Sequence, residues 1–279
     1  MKSFKDKVAA ITGAASGMGR ELAVELAKQG CAVAISDVNE AGLAETAALA
    51  RAYNVKVTAQ KLDVAQRAAV YAWADQVVAD HGKVNLVFNN AGVALGSTVE
   101  GMSYEDFEWL MGINFWGVVY GTKAFLPHLK AAGEGHIINT SSIFGIGGIP
   151  SQSAYNAAKF AVRGFTESLR QELDMANCGV SATSVHPGGI KTNIAAAARF
   201  AGDMKDFTGA DDVKAKANFE KLFITTANSA AQTILRAVQR DSRRVLVGPD
   251  AVVFDAVVRL LPTAYQKIVT WGTKRQMRG

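Results

Sequence analysis

A tyrosine and a lysine in the middle of this chain have the types and spacing of an acid–base pair. Tyr155 and Lys159 are four residues apart in a helical pattern, so both side chains project from one face of that helix. A phenol normally loses its proton at about pH 10, and a nearby ammonium group lowers this pKa because it stabilises the phenolate. Such a tyrosine could take a proton from an alcohol, or return it to a ketone, near neutral pH. The motif alone is usually a surface pair, so its meaning depends on the residues around it.

Two further polar residues could complete a reaction centre around this pair. Ser142 lies 13 residues before Tyr155, just past a predicted strand, and its hydroxyl could hydrogen-bond a substrate oxygen and hold it against the phenol. Ser141 is the competing assignment for that role. Asn114 lies in a long predicted helix, where asparagine has only middling propensity and could instead bond the helix backbone.

A glycine-rich turn joins the first predicted strand to the first helix, over Thr12–Gly19 (TGAASGMG). Such a turn lets the backbone approach a pyrophosphate closely, and the helix N-terminus supplies N–H groups and the positive end of its dipole. An ordinary glycine turn is the alternative. The glycines are spaced G-x-x-x-G-x-G, and not G-x-G-x-x-G as in the commonest dinucleotide fold. The candidate cofactor contacts in this turn are Gly13, Ser16, Gly17, Met18 and Gly19.

Two carboxylates at predicted strand ends could contact the rest of a dinucleotide. Asp37 ends the second strand, 18 residues after Gly19, where a carboxylate can accept hydrogen bonds from both adenosine ribose hydroxyls and repel a 2′-phosphate. Neither Ser16 nor Val38 is basic, so the chain is predicted to prefer NAD over NADP. Asp37 could instead be a turn residue or a helix N-cap, and Asp63, after the third strand, could equally cap the helix that follows.

Taken together, these motifs resemble the classical short-chain dehydrogenase/reductase family. The resemblance rests on T-G-x-x-x-G-x-G, on N-N-A-G at 89–92, on the Ser-to-Tyr spacing with Y-x-x-x-K, and on P-G-x-x-x-T at 187–192. It runs from Val8 to about Thr192. It implies a catalytic tetrad of Asn114, Ser142, Tyr155 and Lys159, in which the asparagine, in its N-x-x-G context, holds a water that connects the lysine to solvent.

The resemblance also implies further cofactor contacts. An aspartate at position 63 contacts the adenine amino group with the help of the Val64 amide, and the main chain near Ile190 and the Thr192 hydroxyl bind the nicotinamide carboxamide. His186 precedes this last segment and could be a general base, but we interpret it as structural because Tyr155 is a better acid–base group. The other implied cofactor contacts are Asn90, Ala91, Gly92, Tyr155, Lys159, Pro187 and Gly188.

Short β-branched runs alternate with longer helical patterns along the chain. This alternation predicts right-handed β-α-β crossovers and an α/β, doubly wound Rossmann fold, in which a seven-stranded parallel sheet has helices on both faces. The predicted strands are Lys7–Thr12, Ala32–Ser36, Lys56–Lys61, Asn85–Asn89, His136–Thr140, Val180–His186 and Arg244–Val247. The predicted helices are Gly17–Gln29, Glu40–Tyr53, Ala65–Asp80, Tyr104–Leu129, Ser153–Met175 and Ser229–Arg240.

The composition contains no signal for a second domain or for unusual partners. With no linker or low-complexity tract, residues 1–279 are predicted to form a single domain, with a substrate-binding loop at about 188–226 and a C-terminal helical extension at about 250–279. A net charge of +5 is mild for this length, which argues against nucleic-acid binding. Two cysteines, with no metal-binding pattern around them, predict free thiols and no metal. No signal segment and no bilayer-spanning apolar run is present, so we expect a cytoplasmic protein.

The predicted reaction is reversible hydride transfer between the carbon of a secondary alcohol and NAD. Tyr155 would take the hydroxyl proton, and Lys159 would orient the cofactor ribose and stabilise the phenolate. Ser142, Phe144 and Tyr155 are the candidate substrate contacts. The expected pocket walls are largely apolar, which favours a medium-sized hydrophobic alcohol or ketone over a phosphorylated sugar. These walls are Val93–Leu95, Ile143–Ile146, Ile194, Phe200, Met204, Phe207, Phe219 and Phe223.

Two apolar features predict contacts outside the reaction centre. The helices Tyr104–Leu129 and Ser153–Met175 carry more apolar surface than one sheet face needs, and the family resemblance implies a four-helix interface of a homodimer, commonly within a homotetramer. The apolar segment Ala251–Trp271 is too short to span a membrane because Pro262 breaks it. It could cover the substrate loop, pack across subunits, or lie on a membrane surface together with the basic residues that follow it.

Two other classes of protein remain as alternatives. A nucleotide-sensing binding protein could use the same fold, but it would not need the Tyr155–Lys159 pair. Epimerisation or dehydration could be carried out on the same scaffold, but those relatives usually have a G-x-x-G-x-x-G turn, which this chain lacks.

Overall fold

The computed structural model describes residues 1–194, 197–200 and 223–277. Of the expected pocket walls, Met204, Phe207 and Phe219 lie outside the described residues. The strands are β1 (Val8–Thr12), β2 (Ala32–Asp37), β3 (Val57–Lys61), β4 (Leu86–Asn89), β5 (Leu95–Gly96), β6 (Gly135–Thr140), β7 (Val180–Pro187), β8 (Ile190–Lys191), β9 (Arg199–Phe200), β10 (Thr225–Thr226) and β11 (Arg244–Val247). The α-helices are α1 (Gly17–Lys28), α2 (Glu40–Arg51), α3 (Arg67–His81), α4 (Tyr104–Met111), α5 (Gly117–Ala131), α6 (Ser153–Ala176), α7 (Ala227–Gln239), α8 (Pro249–Leu260) and α9 (Tyr265–Met277).

Seven of the strands form one parallel sheet in the order β11-β7-β6-β4-β1-β2-β3. The predicted doubly wound fold is confirmed, and each predicted strand of this sheet lies within one residue of its observed ends. The chain runs outward from β1 through β2 to β3 and then crosses to β4 on the other side of β1. The strand order therefore reverses between β1 and β4, where a crevice opens at the carboxyl ends of a doubly wound sheet.

Helices cover both faces of the sheet. On one face, α1, α2 and α7 bury apolar side chains such as Leu22, Leu43 and Ile234. On the other face, α3, α5 and α6 also bury apolar side chains. There the rings of Trp73 and Phe125 pack edge to face, with 5.2 Å between the ring centres. Because both faces are covered, β1 is buried along its whole length, as its continuous apolar sequence predicts.

One predicted helix differs from the observed structure. The apolar pattern over Tyr104–Leu129 predicts one continuous helix, whereas α4 and α5 are separated by a π-helical turn at Gly112–Trp116. A π-turn has a wider hydrogen-bond step than an α-helix, and such turns occur often at functional sites. The π-turn shifts the helical register by a fraction of a turn. The spacing of apolar residues in the sequence does not reveal such a shift. Asn114 lies inside this turn and is fully buried.

Two small parallel strand pairs lie outside the main sheet, and both were missed by the sequence analysis. β5 pairs with β9, and β8 pairs with β10. The second pair joins Ile190 to Thr225, so the two ends of the predicted substrate-binding loop lie side by side. Among the described residues, no helix combines the length and apolar character needed to cross a bilayer.

Candidate active site

Tyr155 and Lys159 lie in the first two turns of α6 and face the same cavity, as predicted. The Lys159 ammonium lies 5.5 Å from the centre of the Tyr155 ring. Its Nζ donates a hydrogen bond to the Thr140 carbonyl oxygen at 2.9 Å, which fixes the end of the lysine against β6. The Tyr155 ring packs edge to face on Phe144 at 5.7 Å, and its hydroxyl is hydrogen-bonded to Ser142.

Burial changes the acidity of both groups, and it does so in the direction opposite to the expected tuning of the tyrosine. Burial raises the pKa of Tyr155 to about 12, although the hydrogen bond with Ser142 lowers it. Burial also lowers the pKa of Lys159 from its ordinary 10.5 to about 8. The loss of water around both groups causes these shifts in the chain without cofactor. The lowering of the phenol pKa by the ammonium, together with the positive nicotinamide ring, stays a prediction for the protein with cofactor bound.

The depressed pKa of Lys159 predicts that the protein becomes more stable as the pH rises from about 8 toward 10.5. Within that window the unfolded lysine still holds a proton that the folded lysine has released, so the free energy of unfolding increases with pH. One such group contributes at most about 1.4 kcal/mol per pH unit. The measurement is denaturant unfolding at several pH values for the wild type and Lys159→Met.

Only the difference between the two proteins reports on Lys159, because all other titrating groups are shared. The difference is expected to fall as the pH rises, with the methionine variant relatively more stable at pH 7. Tyr155 acts in the opposite direction only above about pH 10, since its raised pKa makes the folded state hold the proton longer. Parallel stability curves for the two proteins would contradict the depressed pKa.

Ser142, and not Ser141, lies next to the phenol. The Ser142 side chain is hydrogen-bonded to Tyr155 and also accepts from the Phe144 backbone N–H at 3.1 Å. The Ser141 hydroxyl donates to the Lys159 carbonyl oxygen at 2.7 Å and so fastens α6 to the end of β6. The geometry therefore favours Ser142 for contact with a substrate oxygen and gives Ser141 a structural bond.

Asn114 reaches the same site through the backbone of the β4–β5 connection. Its Oδ1 accepts from the Val93 N–H and its Nδ2 donates to the Val93 carbonyl, both at 2.8 Å. A Cβ on Gly92 would lie 3.3 Å from Asn114 Oδ1 and 3.7 Å from Lys159 Nζ. Glycine at position 92 therefore lets the asparagine and the lysine approach the same point. The side-chain amide thus positions Val93, a contact that the sequence did not reveal.

His186 has a structural environment, in agreement with the interpretation from sequence. Its ring is fully buried, with Nδ1 at 3.0 Å from the Ser142 carbonyl oxygen and Nε2 at 3.0 Å from the Ser184 hydroxyl. Burial lowers its pKa to about 4, so the ring is neutral at pH 7. The two ring contacts hold the Ser142 segment against β7, and neither nitrogen is available for a substrate.

A cleft of about 310 Å³ lies at the crevice between β1 and β4, and we call it the cofactor cleft. Its shape depends on glycine: Gly13 has φ +67°, and a Cβ there would come within 2.7 Å of the Ala91 Cα. Gly19 does not line the cleft, and a Cβ on it would overlap the Gly13 carbonyl, so its role is to let α1 pack on the turn. The predicted cofactor contacts that line the cleft are Gly13, Ser16, Gly17, Met18, Asp37, Asp63, Val64, Asn90, Ala91, Gly92 and Thr192.

Asp37 and Asp63 both hold turns at the edge of this cleft. Asp37 accepts from the Ala15 N–H and from the Asn39 N–H, each at 3.0 Å, so it joins the end of β2 to the glycine turn. The N-cap of α2 is Asn39, and α3 begins only at Arg67, so neither aspartate is a helix N-cap. Asp63 accepts from the Ala65 N–H at 2.9 Å. Each carboxylate is held in place at the cleft and keeps lone pairs for a ligand.

A second cavity of about 520 Å³, which we call the catalytic cavity, adjoins the cleft and shares Met18, Asn90, Gly92, Thr192 and Ile194 with it. Its walls are mainly apolar, and they include the remaining predicted cofactor contacts apart from Gly19. Val93, Leu95, Gly145, Ile146 and Phe200, which were expected as walls, do not line it. The residues that line it and were predicted as walls or contacts are Met18, Asn90, Gly92, Ala94, Ser142, Ile143, Phe144, Tyr155, Lys159, Pro187, Gly188, Ile190, Thr192, Ile194 and Phe223. Those not predicted to do so include Asp250, Val253, Phe254, Val257, Tyr265, Ile268 and Val269.

The C-terminal helices thus form one wall of the catalytic cavity. The Tyr265 hydroxyl accepts from the Gly148 N–H at 2.9 Å, and its ring packs edge to face on Phe254. At the start of α8, the Asp250 carboxylate accepts from the Gly189 N–H at 2.6 Å. Pro249 followed by an acidic residue is a recognisable signal for the start of a helix. The contact of Asp250 with Gly189, 61 residues away, is not visible in the sequence.

The fold and the site define a nucleotide-cleft protein of the doubly wound class, with a buried Ser–Tyr–Lys centre beside the cleft. The family model "short chain dehydrogenase" matches residues 7–201. The chain therefore belongs to the short-chain dehydrogenase/reductase family of oxidoreductases. Within the described residues, no group of His, Cys, Asp and Glu is arranged to hold a metal ion.

Several relatives resemble the chain over most of its length. A "Putative oxidoreductase SadH" from Mycobacterium tuberculosis is 47% identical, covering 99% of this chain and 98% of that protein. A "Cyclohexanol dehydrogenase" from an Acinetobacter species is 38% identical, covering 69% of this chain and 76% of its own length. A short-chain dehydrogenase/reductase from Burkholderia phymatum, solved in complex with NAD, is 31% identical with a TM-score of 0.85, covering 95% of this chain and 96% of that one.

Proposed function

We propose that this protein is an NAD-dependent oxidoreductase that interconverts a secondary alcohol and a ketone by hydride transfer. The observation that carries the proposal is the Tyr155 phenol, which is hydrogen-bonded to Ser142 and lies near Lys159 in the catalytic cavity, next to the cofactor cleft. NAD, when bound, supplies the nicotinamide ring that accepts or returns the hydride.

The chain's own residues would orient the substrate oxygen and move its proton. In the oxidative direction Tyr155 takes the proton from the alcohol hydroxyl, while Ser142 holds the same oxygen in place. Lys159 in its protonated form favours the phenolate, so the protonation of the lysine sets the base strength of the tyrosine. Asn114 positions Gly92 and Val93 beside Lys159, where the family resemblance implies a water that passes the proton to solvent.

The residues of the cofactor cleft fit NAD. Position 13 has no room for a side chain, because a Cβ on Gly13 would overlap the Ala91 backbone. With glycine there, the backbone of the turn is free for the close approach of a pyrophosphate. Asp37 would accept hydrogen bonds from the adenosine ribose and repel a 2′-phosphate, and Asp63 with the Val64 amide would contact adenine. The Pro187–Thr192 segment would bind the carboxamide of the nicotinamide ring. The presence of NAD in the Burkholderia phymatum relative supports this choice of cofactor.

The substrate is proposed to be a medium-sized hydrophobic, cyclic secondary alcohol or the corresponding ketone. The catalytic cavity is lined by aliphatic and aromatic side chains, and Phe144 lies against the phenol at its base. The names of two relatives support a ring-shaped substrate: the cyclohexanol dehydrogenase described above and a "Carveol dehydrogenase" from Mycobacterium avium, 25% identical with a TM-score of 0.77.

The test is a substrate and cofactor panel followed by the absorbance of reduced nicotinamide. We expect reduction of NAD with cyclohexanol and related cyclic alcohols, slower reduction with short linear alcohols, and none with a sugar phosphate, because an apolar wall gives a phosphate no partner. Preferential turnover of the sugar phosphate would overturn the substrate class. No reduction with any alcohol, in a protein that still binds NAD, would favour a nucleotide sensor.

We propose that residues 1–279 form a single domain and that the protein assembles as a homodimer or homotetramer. The outer surfaces of α5 and α6 and of the π-turn expose aromatic rings that a monomer leaves in water. Trp116 is 47% exposed and stacks on Tyr120 at 5.8 Å, and Phe160 is 42% exposed. Such rings are enriched in subunit contacts, which supports association through these helices.

A further inference from the structure

The C-terminal helices expose large apolar side chains within a short length of chain. We call this surface the C-terminal apolar face and define it by Val253, Leu260, Leu261, Ile268 and Trp271, which are between 41% and 80% exposed. Val253 and Leu260 are two helical turns apart on α8, and Ile268 and Trp271 are neighbours on one side of α9. Exposed apolar surface of this density generally marks a site of interaction.

This face surrounds the mouth of the catalytic cavity. Val253 and Ile268 both line the cavity, yet they are 63% and 52% exposed, so each reaches from the cavity wall to the outer surface. The cavity therefore opens through the C-terminal apolar face. A hydrophobic molecule that enters here meets apolar side chains first on the outside and then on the inside.

The charge on the α9 part of this face is of one sign. Residues 261–279 contain four basic residues and no acidic residue, in a chain whose net charge is +5. Lys267, Trp271 and Lys274 follow one another at helical spacing on α9, and the Arg275 guanidinium lies 5.6 Å from the centre of the Trp271 ring. Among the described residues, no carboxylate pairs with Lys267, Lys274 or Arg275.

We propose that the C-terminal apolar face binds the surface of an anionic lipid bilayer, so that the mouth of the catalytic cavity faces the lipid. The functional consequence rests on the proposed function: a lipophilic alcohol would pass from the membrane to Tyr155 without crossing water. The tryptophan suits the headgroup level, where indole rings are enriched. Basic residues beside an apolar helical face are the usual composition of segments that lie in the membrane surface.

A second copy of the chain fits this face less well than an anionic surface does. A two-fold contact would bring Lys267, Lys274 and Arg275 toward their own copies, because the same patch appears on both partners. Like charges then oppose association. An anionic bilayer has the opposite charge, and each lysine or arginine near such a surface strengthens binding about fivefold. Charge complementarity therefore favours the lipid.

Co-sedimentation with vesicles tests the proposal on the full chain without cofactor or substrate. One set of vesicles contains phosphatidylcholine alone, and the other also contains phosphatidylglycerol. We expect the wild type to bind the anionic vesicles and to bind them less at high salt. The charge variant Lys274→Gln/Arg275→Gln should weaken binding on the order of thirtyfold. The apolar variant Leu260→Ser/Trp271→Ser should weaken binding to both kinds of vesicle.

Matched controls change similar residues elsewhere on the surface. Arg51→Gln/Lys130→Gln removes two exposed positive charges, and Val99→Ser/Tyr104→Ser removes two exposed apolar side chains. Both controls should bind vesicles as the wild type does. Equal losses in a control and in its matched variant would show a general charge or hydrophobic effect and would overturn the proposal.

Two further outcomes also decide against the lipid. Absence of binding to the anionic vesicles by the wild type would overturn the proposal directly. A fall in molar mass by light scattering in Leu260→Ser/Trp271→Ser, without vesicle binding by the wild type, would assign the face to a second copy. Vesicle binding does not require turnover, so vesicle binding in a protein that oxidises no alcohol would count against the proposed function and not against this face.

Discussion

Tyr155→Phe is expected to lower the kcat of alcohol oxidation by about 10²- to 10⁴-fold, the range that a positioned acid–base group contributes. The phenol oxygen lies beside the Ser142 hydroxyl in the catalytic cavity, which adjoins the cofactor cleft. Phenylalanine keeps the ring that packs on Phe144 and lies near Lys159. The fold and the affinity for NAD should therefore change little, which fluorescence titration with the cofactor measures separately from turnover.

Tyr265→Phe is the matched control for this prediction. Tyr265 lines the same cavity, and within the part of the chain that the structure describes its hydroxyl accepts from the Gly148 backbone N–H, so we give it no part in the proton transfer. Its loss should cost some stability and leave kcat within a few-fold of the wild type. Full activity of Tyr155→Phe would exclude the proposed mechanism. Equal losses in both variants would indicate a general effect on the cavity.

The second large effect is expected on the choice of cofactor. Asp37→Asn should lower kcat/KM with NAD about 100-fold, because hydrogen bonds from the ribose hydroxyls to a charged acceptor contribute about 1.5 to 3 kcal/mol each. The ratio of kcat/KM for NAD to that for NADP should fall further, since the amide no longer repels a 2′-phosphate. Asparagine is nearly isosteric and retains one acceptor for the turn to Ala15 and Asn39.

Asp63→Asn is the control that separates discrimination between NAD and NADP from the general affinity for either cofactor. Asp63 lies in the same cleft, but its proposed contact is adenine, which NAD and NADP have in common. This variant should weaken both cofactors equally and keep their ratio. If Asp37→Asn also left the ratio unchanged, the preference for NAD would not reside in that carboxylate.

The parts of the site that follow directly after sheet strands were predictable from the sequence. The glycine turn, Asp37, Asn90 and Ser142 each follow a buried strand, and parallel strands bring their carboxyl ends to one edge. The same strands predicted the doubly wound parallel sheet, because strands that are buried on both faces have continuous apolar sequences that are easy to recognise. Tyr155 and Lys159 were predictable for a different reason, because residues four apart on one helix face the same side.

Features that depend on register or on distant contacts were not predictable. The π-turn around Asn114 alters one helical step inside an apolar pattern that continues on both sides. The bond from Gly189 to Asp250 joins residues far apart in sequence, and the apolar period of α8 does not reveal which cavity it borders. The raised pKa of Tyr155 depends on the loss of water around the ring, and motif spacing contains no information about solvent.

The pairing of β8 with β10 has a consequence for how proteins with this architecture can diversify. Because Ile190 and Thr225 are paired in adjacent parallel strands, the chain between them begins and ends at one place on the sheet edge. Doubling the length of such an excursion costs only about 0.6 kcal/mol in closure entropy. Insertions, deletions and exchanges in this stretch can thus accumulate during evolution while the proton-transfer residues stay fixed. A change of the segment between Ile190 and Thr225 can therefore alter the substrate while the catalytic residues are kept.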